Sequence, residues 1–262
     1  MPRLTKPLPA ILLSLAIAGC ANEPAVVEVK GACADVNTGQ VCTWATTKGV
    51  DLVEAGAVVP IASIENAPAN PPMVWPPVAA AVLDLPEAAK AKGGVTALTM
   101  YWEAGGHPPG AFMTPHFDFH FIYAGAPAAK TMDCKDPTKP AALPASYALP
   151  DIPLPPDMAK MMGVPALIAL CVPEMGMHAI LASEIERKDA FNGTMVIGYY
   201  GGKPIFVEPM LSKAMLMKKA SFDLPIPEVP GLTGPHPTKF HAEFDAATQS
   251  YRFILSEFKT TN

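Results

Sequence analysis

Prolines partition this chain. There are 31 of them in 262 residues, and they crowd into three stretches, 60–77, 125–160 and 225–237. Proline lacks a backbone N–H and fixes φ, so these stretches exclude long helices and central strands. The segments left between them are short and often alternate polar with apolar residues. Val95–Trp102 reads as a strand. Met195–Tyr200 and Pro204–Val207 read as a hairpin closed by Gly201-Gly202, a favoured two-residue turn. Phe240–Phe244 and Tyr251–Phe258 read as a final antiparallel pair, and the apolar run Val164–Leu170 as a buried strand. Val78–Lys92, rich in alanine and leucine and ending at Gly93-Gly94, reads as a short helix, whereas Met210–Met217 fits helix or strand. The fold class is mainly β, an antiparallel barrel or sandwich with a few short helices and long proline-rich loops. No βαβ rhythm, GxGxxG or phosphate loop is present.

The most informative strand is Pro115-His116-Phe117-Asp118-Phe119-His120-Phe121-Ile122-Tyr123. With a period of two, His116, Asp118 and His120 share one face, and Phe117, Phe119 and Phe121 share the other. Three bulky aromatics opposite three groups suited to metals or protons do not describe an ordinary surface strand. The preceding loop, Glu103 to Gly110, holds His107 between Gly105-Gly106 and Pro108-Pro109, rigidly and near the sheet edge.

The chain begins with a short basic region and an apolar run, Leu8–Ala18, too short to cross a bilayer but sized like the core of a signal peptide. The residues before Cys20 resemble the lipobox of bacterial lipoproteins. That resemblance implies cleavage after residue 19 and lipidation of Cys20. With Ala21-Asn22 following, it also implies anchorage at the outer membrane or cell surface. The expected organisation is a signal peptide over 1–19, a tether and small N-terminal element over 20–72, and one β-rich domain over 73–262. Net charge −5 without a basic face argues against nucleic acid. The expected partners are the bilayer, reached through the anchor, a small molecule, and further copies of this chain.

Cys33, Cys42, Cys134 and Cys171 form an even set, which in an exported chain favours disulfides. Three pairings exist. The preferred one joins Cys33 with Cys42 around a local turn and Cys134 with Cys171 across the proline-rich arm. A four-thiolate zinc site competes, but the spacings lack close C-x2-C pairs.

Imidazoles and carboxylates suit zinc, manganese, iron or copper, so the expected cofactor is a divalent metal ion. The candidate ligands are His116, His120, His178 and Glu208, with Asp118 as a general base, a ligand, or the acceptor that orients a ligating imidazole. Glu208 is taken to end an apolar strand before Pro209. Geometry restrains the set, because residues four apart on a straight strand are about 13 Å apart at Cα, from about 3.3 Å per residue. His116 and His120 would share one ion only across a bend. Glu174 and Glu103 are weaker candidates, and His236 and His241 read as structural or exposed. The 14 methionines admit a copper(I)-buffering reading, but their spacing favours core packing.

Gly105-Gly106-His107-Pro108-Pro109, the histidine strand, Pro173-Glu174-Met175-Gly176-Met177-His178 and Phe206-Val207-Glu208-Pro209-Met210 together resemble segments of an uncharacterised family of exported bacterial proteins. The likeness covers roughly residues 90–258 and implies a secreted or lipid-anchored, mostly β domain. The family commonly has an aromatic residue where Ala179 follows His178 here. A looser analogy is the cupin barrel, with three histidines and a glutamate around a metal, although the ligand order differs and the HxH pair is missing. The chain therefore reads as an exported lipoprotein with a His-rich metal site, and as a candidate metal-dependent enzyme. The alternative is a non-catalytic binding or assembly lipoprotein whose histidines form a structural polar network.

Overall fold

The computed structural model describes residues 23–262, so the signal segment and Cys20 lie outside the described residues. In chain order the main elements are β1 (Val26–Val36), β2 (Gly39–Lys48), β3 (Asp51–Pro60), α1 (Ile61–Glu65), β4 (Ala81–Asp84), α2 (Glu87–Gly93), β5 (Val95–Glu103) and β6 (His116–Tyr123). Then come α3 (Pro156–Met162), β7 (Gly176–Leu181), α4 (Ala182–Ile185), β8 (Gly193–Tyr200), β9 (Lys203–Ser212), α5 (Lys213–Leu216), β10 (Phe222–Pro225), β11 (Lys239–Asp245) and β12 (Ser250–Ser256). Strand outweighs helix by 45% to 15%, so the class is mainly β.

One sheet runs β1-β2-β3-β12-β11-β10 and the other Cys171–Val172, then β7-β8-β9-β6-β5-β4. The ladders within both are antiparallel, and the sheets do not close into a barrel; the arrangement is a sandwich. Residues 26–60, read from the sequence as spacer and small N-terminal element, supply three strands of the first sheet, and Val59 pairs with Tyr251.

The aromatic face of β6 builds the layer between the sheets. Phe117, Phe119 and Phe121 are fully buried there, and Phe119 meets Phe253 of β12 edge-on at 4.8 Å between ring centroids. Each such side chain contributes about 1.5–3 kcal/mol of burial. The histidine face points the other way, and it too is covered. A second apolar cluster, including Phe112, Leu154, Met162, Leu170, Ile180 and Val196, packs loops and α3 over it. The molecule thus has three layers: sheet, sheet and a proline-rich outer layer. That is why His116 through Phe121 are buried at every position rather than at alternate ones.

The outer layer is fastened at several points. Cys134 is bonded to Cys171, whereas the other disulfide, Cys33–Cys42, lies within the first sheet between β1 and β2. Tyr147 donates its hydroxyl to Met195 O at 2.9 Å, tying the 125–160 arm to β8. Trp75 packs its half-buried ring into the outer cluster.

Three segments depart from their local patterns. Val78–Lys92 is not one helix: Ala81 and Leu83 turn inward and Val82 and Asp84 outward as β4 pairs with β5, and helix starts only after Pro86. Val164–Leu170 yields a two-residue strand, Ala166–Leu167, and then a tight turn, because its partner Ile152–Pro153 is equally short. Met210–Met217 divides at Ser212, whose hydroxyl caps α5 by accepting from Met215 N at 3.1 Å.

A candidate metal centre under the outer layer

Register places the polar side chains. On one side of β6, Tyr101 pairs with Asp118 and Glu103 with His116. On the other, Val207 pairs with Phe121 and Met210 with Asp118, which sets Glu208 opposite His120. Glu208 is therefore mid-strand and buried, not at a strand end, because β9 runs on through Pro209 to Ser212. The ladder between β6 and β9 skips the positions beside Pro209, which has no N–H to donate. His178 pairs with Gly198 on β8, and Gly198 pairs in turn with Phe206. A Cβ on Gly198 would overlap the Phe206 ring; without it, that ring stacks on His120 at 4.1 Å and 11° and lies 5.3 Å from His178.

The polar groups fall into two trios, each with two histidines and one carboxylate. His107, His116 and Asp118 form one and His120, His178 and Glu208 the other, with the ligand atoms of each trio within 4.8 Å of one another. His116 and His120 are thus divided between two clusters on one strand. Glu208, His120 and His178 come together as the sequence suggested. His107 is the member that sequence reasoning placed only nearby. Its loop folds back tightly, with Gly106 at φ 68° where a Cβ would run into the Phe112–Thr114 backbone.

Backbone carbonyls orient three of the four imidazoles. Nδ1 of His107 meets Pro108 O at 2.9 Å, Nδ1 of His116 meets Thr114 O at 2.6 Å, and Nδ1 of His178 meets Leu170 O at 3.0 Å. A carbonyl only accepts, so Nδ1 carries the hydrogen and, in the neutral ring, Nε2 presents its lone pair to the site. The carbonyl of Leu170 is offered by an uncommon backbone: Ala169 and Leu170 both hold positive φ, 52° and 47°. Two such non-glycine residues cost on the order of 1–3 kcal/mol each and are typical of positions fixed for function.

Four donor atoms are left over. His116 Nε2, Asp118 Oδ1, His120 Nε2 and Glu208 Oε2 are buried without a hydrogen-bond partner. The nearest contacts, 3.2 Å between His116 and Asp118 and 3.5 Å between His120 and Glu208, are ion-pair distances without hydrogen-bond geometry. Leaving a buried polar group unsatisfied costs about 1–3 kcal/mol, so two in each trio call for partners beyond the protein's own side chains. Two imidazoles and a carboxylate with further positions open fit zinc, iron, manganese or copper.

The trios differ electrically. Burial works against charge on both His116 and Asp118, but each favours the other's charged form. Asp118 is held down at about 2, and His116, helped by the Thr114 carbonyl and Glu103, is raised above its ordinary value. Burial and the neighbouring His116 lower His107, which stands 3.9 Å from Asp118. In the second trio, burial together with His120 pushes His178 down to about 3. Burial, with Asp118 adding to it and His120 opposing, raises Glu208 to about 7. The first trio sets a raised imidazole against a lowered carboxylate, whereas in the second burial favours the neutral forms of both His178 and Glu208. Burial and Asp118 likewise raise Glu103 to about 8, a stronger position than its sequence context suggested. Glu174 is exposed at a turn, His236 contacts Gly234 O, and His241 pairs with Asp223 away from the site.

Four members of the two trios, His107, Asp118, His178 and Glu208, line a cleft of about 600 Å³, with His116 and His120 behind them. Its walls come from residues 68–80 and 158–175 of the outer layer. Met158, Met161, Met162, Met175 and Met210 are among the lining residues, so a good share of the methionines faces the cleft as well as filling core. Comparison with protein-family models, with curated proteins and with solved structures found no match for the chain.

Proposed function

We propose that this is an exported, lipid-anchored protein whose cleft holds one divalent metal ion on His120, His178 and Glu208. The observation that carries this reading is the second trio itself: His120 Nε2 and Glu208 Oε2 are buried, unpartnered and close to His178. A divalent ion bound there would supply Lewis acidity at the floor of the cleft. Beside it, His116 Nε2 and Asp118 Oδ1 face each other at 3.2 Å, each favouring the other's charged form, and would serve a bound molecule as an acid–base pair. Enzymatic use of that pair is part of the proposal. Two disulfides support an oxidising compartment, and the lipobox-like residues before Cys20 support the anchor. The four segments that resemble the exported bacterial family include both trios, which supports placing this chain with that family.

The test is elemental analysis of the purified protein beside two variants, His120→Ala/His178→Ala and His107→Ala/His116→Ala. One ion per chain, lost in the first variant and kept in the second, is the expected result. Two ions per chain would favour a second reading, a two-ion centre, since the first trio offers the same donor set. A folded parent that takes up no zinc, manganese, iron or copper would overturn the metal reading. The histidines would then be a structural polar network, with binding or assembly as the role.

A further inference from the structure

The cleft is divided by chemistry. Its titratable lining residues, Glu103, His107, Asp118, His178 and Glu208, all come from the sheet or from the β5–β6 hairpin. No charged side chain from residues 68–80 or 158–175 lines the cleft, Lys160 and Glu174 being outside its lining, and no Lys or Arg lines it among the described residues. The mouth is apolar as well: Met73, Val74, Val78 and Met161 line the cleft and are also exposed, Val78 by 74%. Exposed apolar side chains gathered at the rim of an apolar-walled cleft mark a ligand site more readily than a solvated surface.

This arrangement excludes several ligand classes. A sugar needs many polar partners along its length, and the walls offer few. A phosphate ester or other polyanion needs basic side chains, and there are none. Charge at the floor selects what remains. Two neutral imidazoles, one carboxylate and a divalent ion leave one net positive charge in a buried place, which a single negative charge neutralises. A volume of about 600 Å³ is in the range that encloses a small organic molecule.

Resting on the metal reading above, we propose that the cleft binds a monoanionic amphiphile, a medium-chain carboxylate or its aryl equivalent. Its carboxylate meets the ion at His120, His178 and Glu208, and its apolar tail lies against wall residues such as Met158, Met162, Leu167 and Trp75.

The proposal is tested by calorimetric titration of the metal-loaded protein with butanoate, hexanoate and octanoate, and with octanol and octylammonium as head-group controls. Affinity rises by roughly fourfold per added methylene, the factor expected from burying one CH₂. Octanoate binds at least about tenfold more tightly than octanol, and octylammonium does not compete, as one charge met in a buried site requires. Met161→Asp, at a partly exposed position on the mouth, lowers octanoate affinity at unchanged metal content, and Val196→Phe, which narrows the cleft beside Glu208, also lowers it. Metal-loaded protein with a flat chain-length series, or with octylammonium bound as well as octanoate, overturns the amphiphile while leaving the metal site standing. Protein that takes up no metal overturns both, and the elemental analysis separates that outcome from the first.

Discussion

At the scale of single residues, the centre depends on small details of packing and protonation. Gly198 is the clearest case, since its missing side chain is the space occupied by the ring of Phe206 against His120. Gly198→Ala is expected to cost about 1–3 kcal/mol by overpacking, read as a lower urea midpoint, and to weaken metal affinity by displacing that ring. His178 and Glu208 pull stability in opposite directions with pH. His178 stays neutral down to about 3 in the fold, so its contribution is full above its ordinary 6.5 and is lost as pH falls from there. Glu208 holds its proton up to about 7, so its contribution is full below 4.5 and is lost as pH rises through 7. In metal-free protein between pH 4.5 and 6.5, His178→Asn should therefore tilt the stability profile downward with rising pH relative to the parent, and Glu208→Gln upward. Equal tilts in chemical denaturation would refute the assignment. The sequence made the ligand types readable because His116, Asp118 and His120 alternate with phenylalanines. It did not reveal that they serve two trios, since His107 joins the first only through the fold of its hairpin loop.

At the scale of elements, local pattern succeeded where the strand itself was long and failed where it was short. β5, β6, β8 and β9 could be read from alternation and the Gly201-Gly202 turn, and the pairing of Tyr200 with Lys203 across that turn follows. Val78–Lys92 misleads because alanine and leucine suit a helix, while pairing with β5 claims its first part. The interruption of the β6–β9 ladder beside Pro209 could be anticipated from proline chemistry alone, yet a proline inside a central strand argues against the strand until both neighbours are seen. The 125–160 arm is held by a bond closing a loop of 37 residues. Removing it as Cys134→Ala/Cys171→Ala should cost about 4 kcal/mol on the loop-entropy account. Because the same arm leads into the wall of the cleft, the variant should also release metal to a chelator faster than the parent, measured by stopped-flow with a colorimetric chelator.

At the scale of the whole molecule, the sequence limited the fold to barrel or sandwich. The choice between them rested on which strands pair across the chain, and periodicity carries no such information. Nor did any local signal say that the arms would form a third layer, although their prolines excluded them from both sheets. Metal should act on the whole fold: at an ion concentration one hundred times its dissociation constant, stability rises by about 2.7 kcal/mol. Chelation should lower the melting temperature accordingly, and a melting temperature indifferent to added zinc, manganese, iron and copper would count against the site. The strand that holds the centre bears consequences for how such a protein can change over generations. The reverse face of β6 is the sandwich core, so a substitution that re-aims His116, Asp118 or His120 also disturbs Phe117, Phe119 or Phe121 and risks the fold itself. The walls carry little of that debt, since apart from the edge pair Cys171–Val172 they lie outside both sheets. On the proposed reading, descendants of this chain could trade one guest for another by rewriting residues 68–80 and 158–175, while the floor suited to an ion is inherited with the architecture.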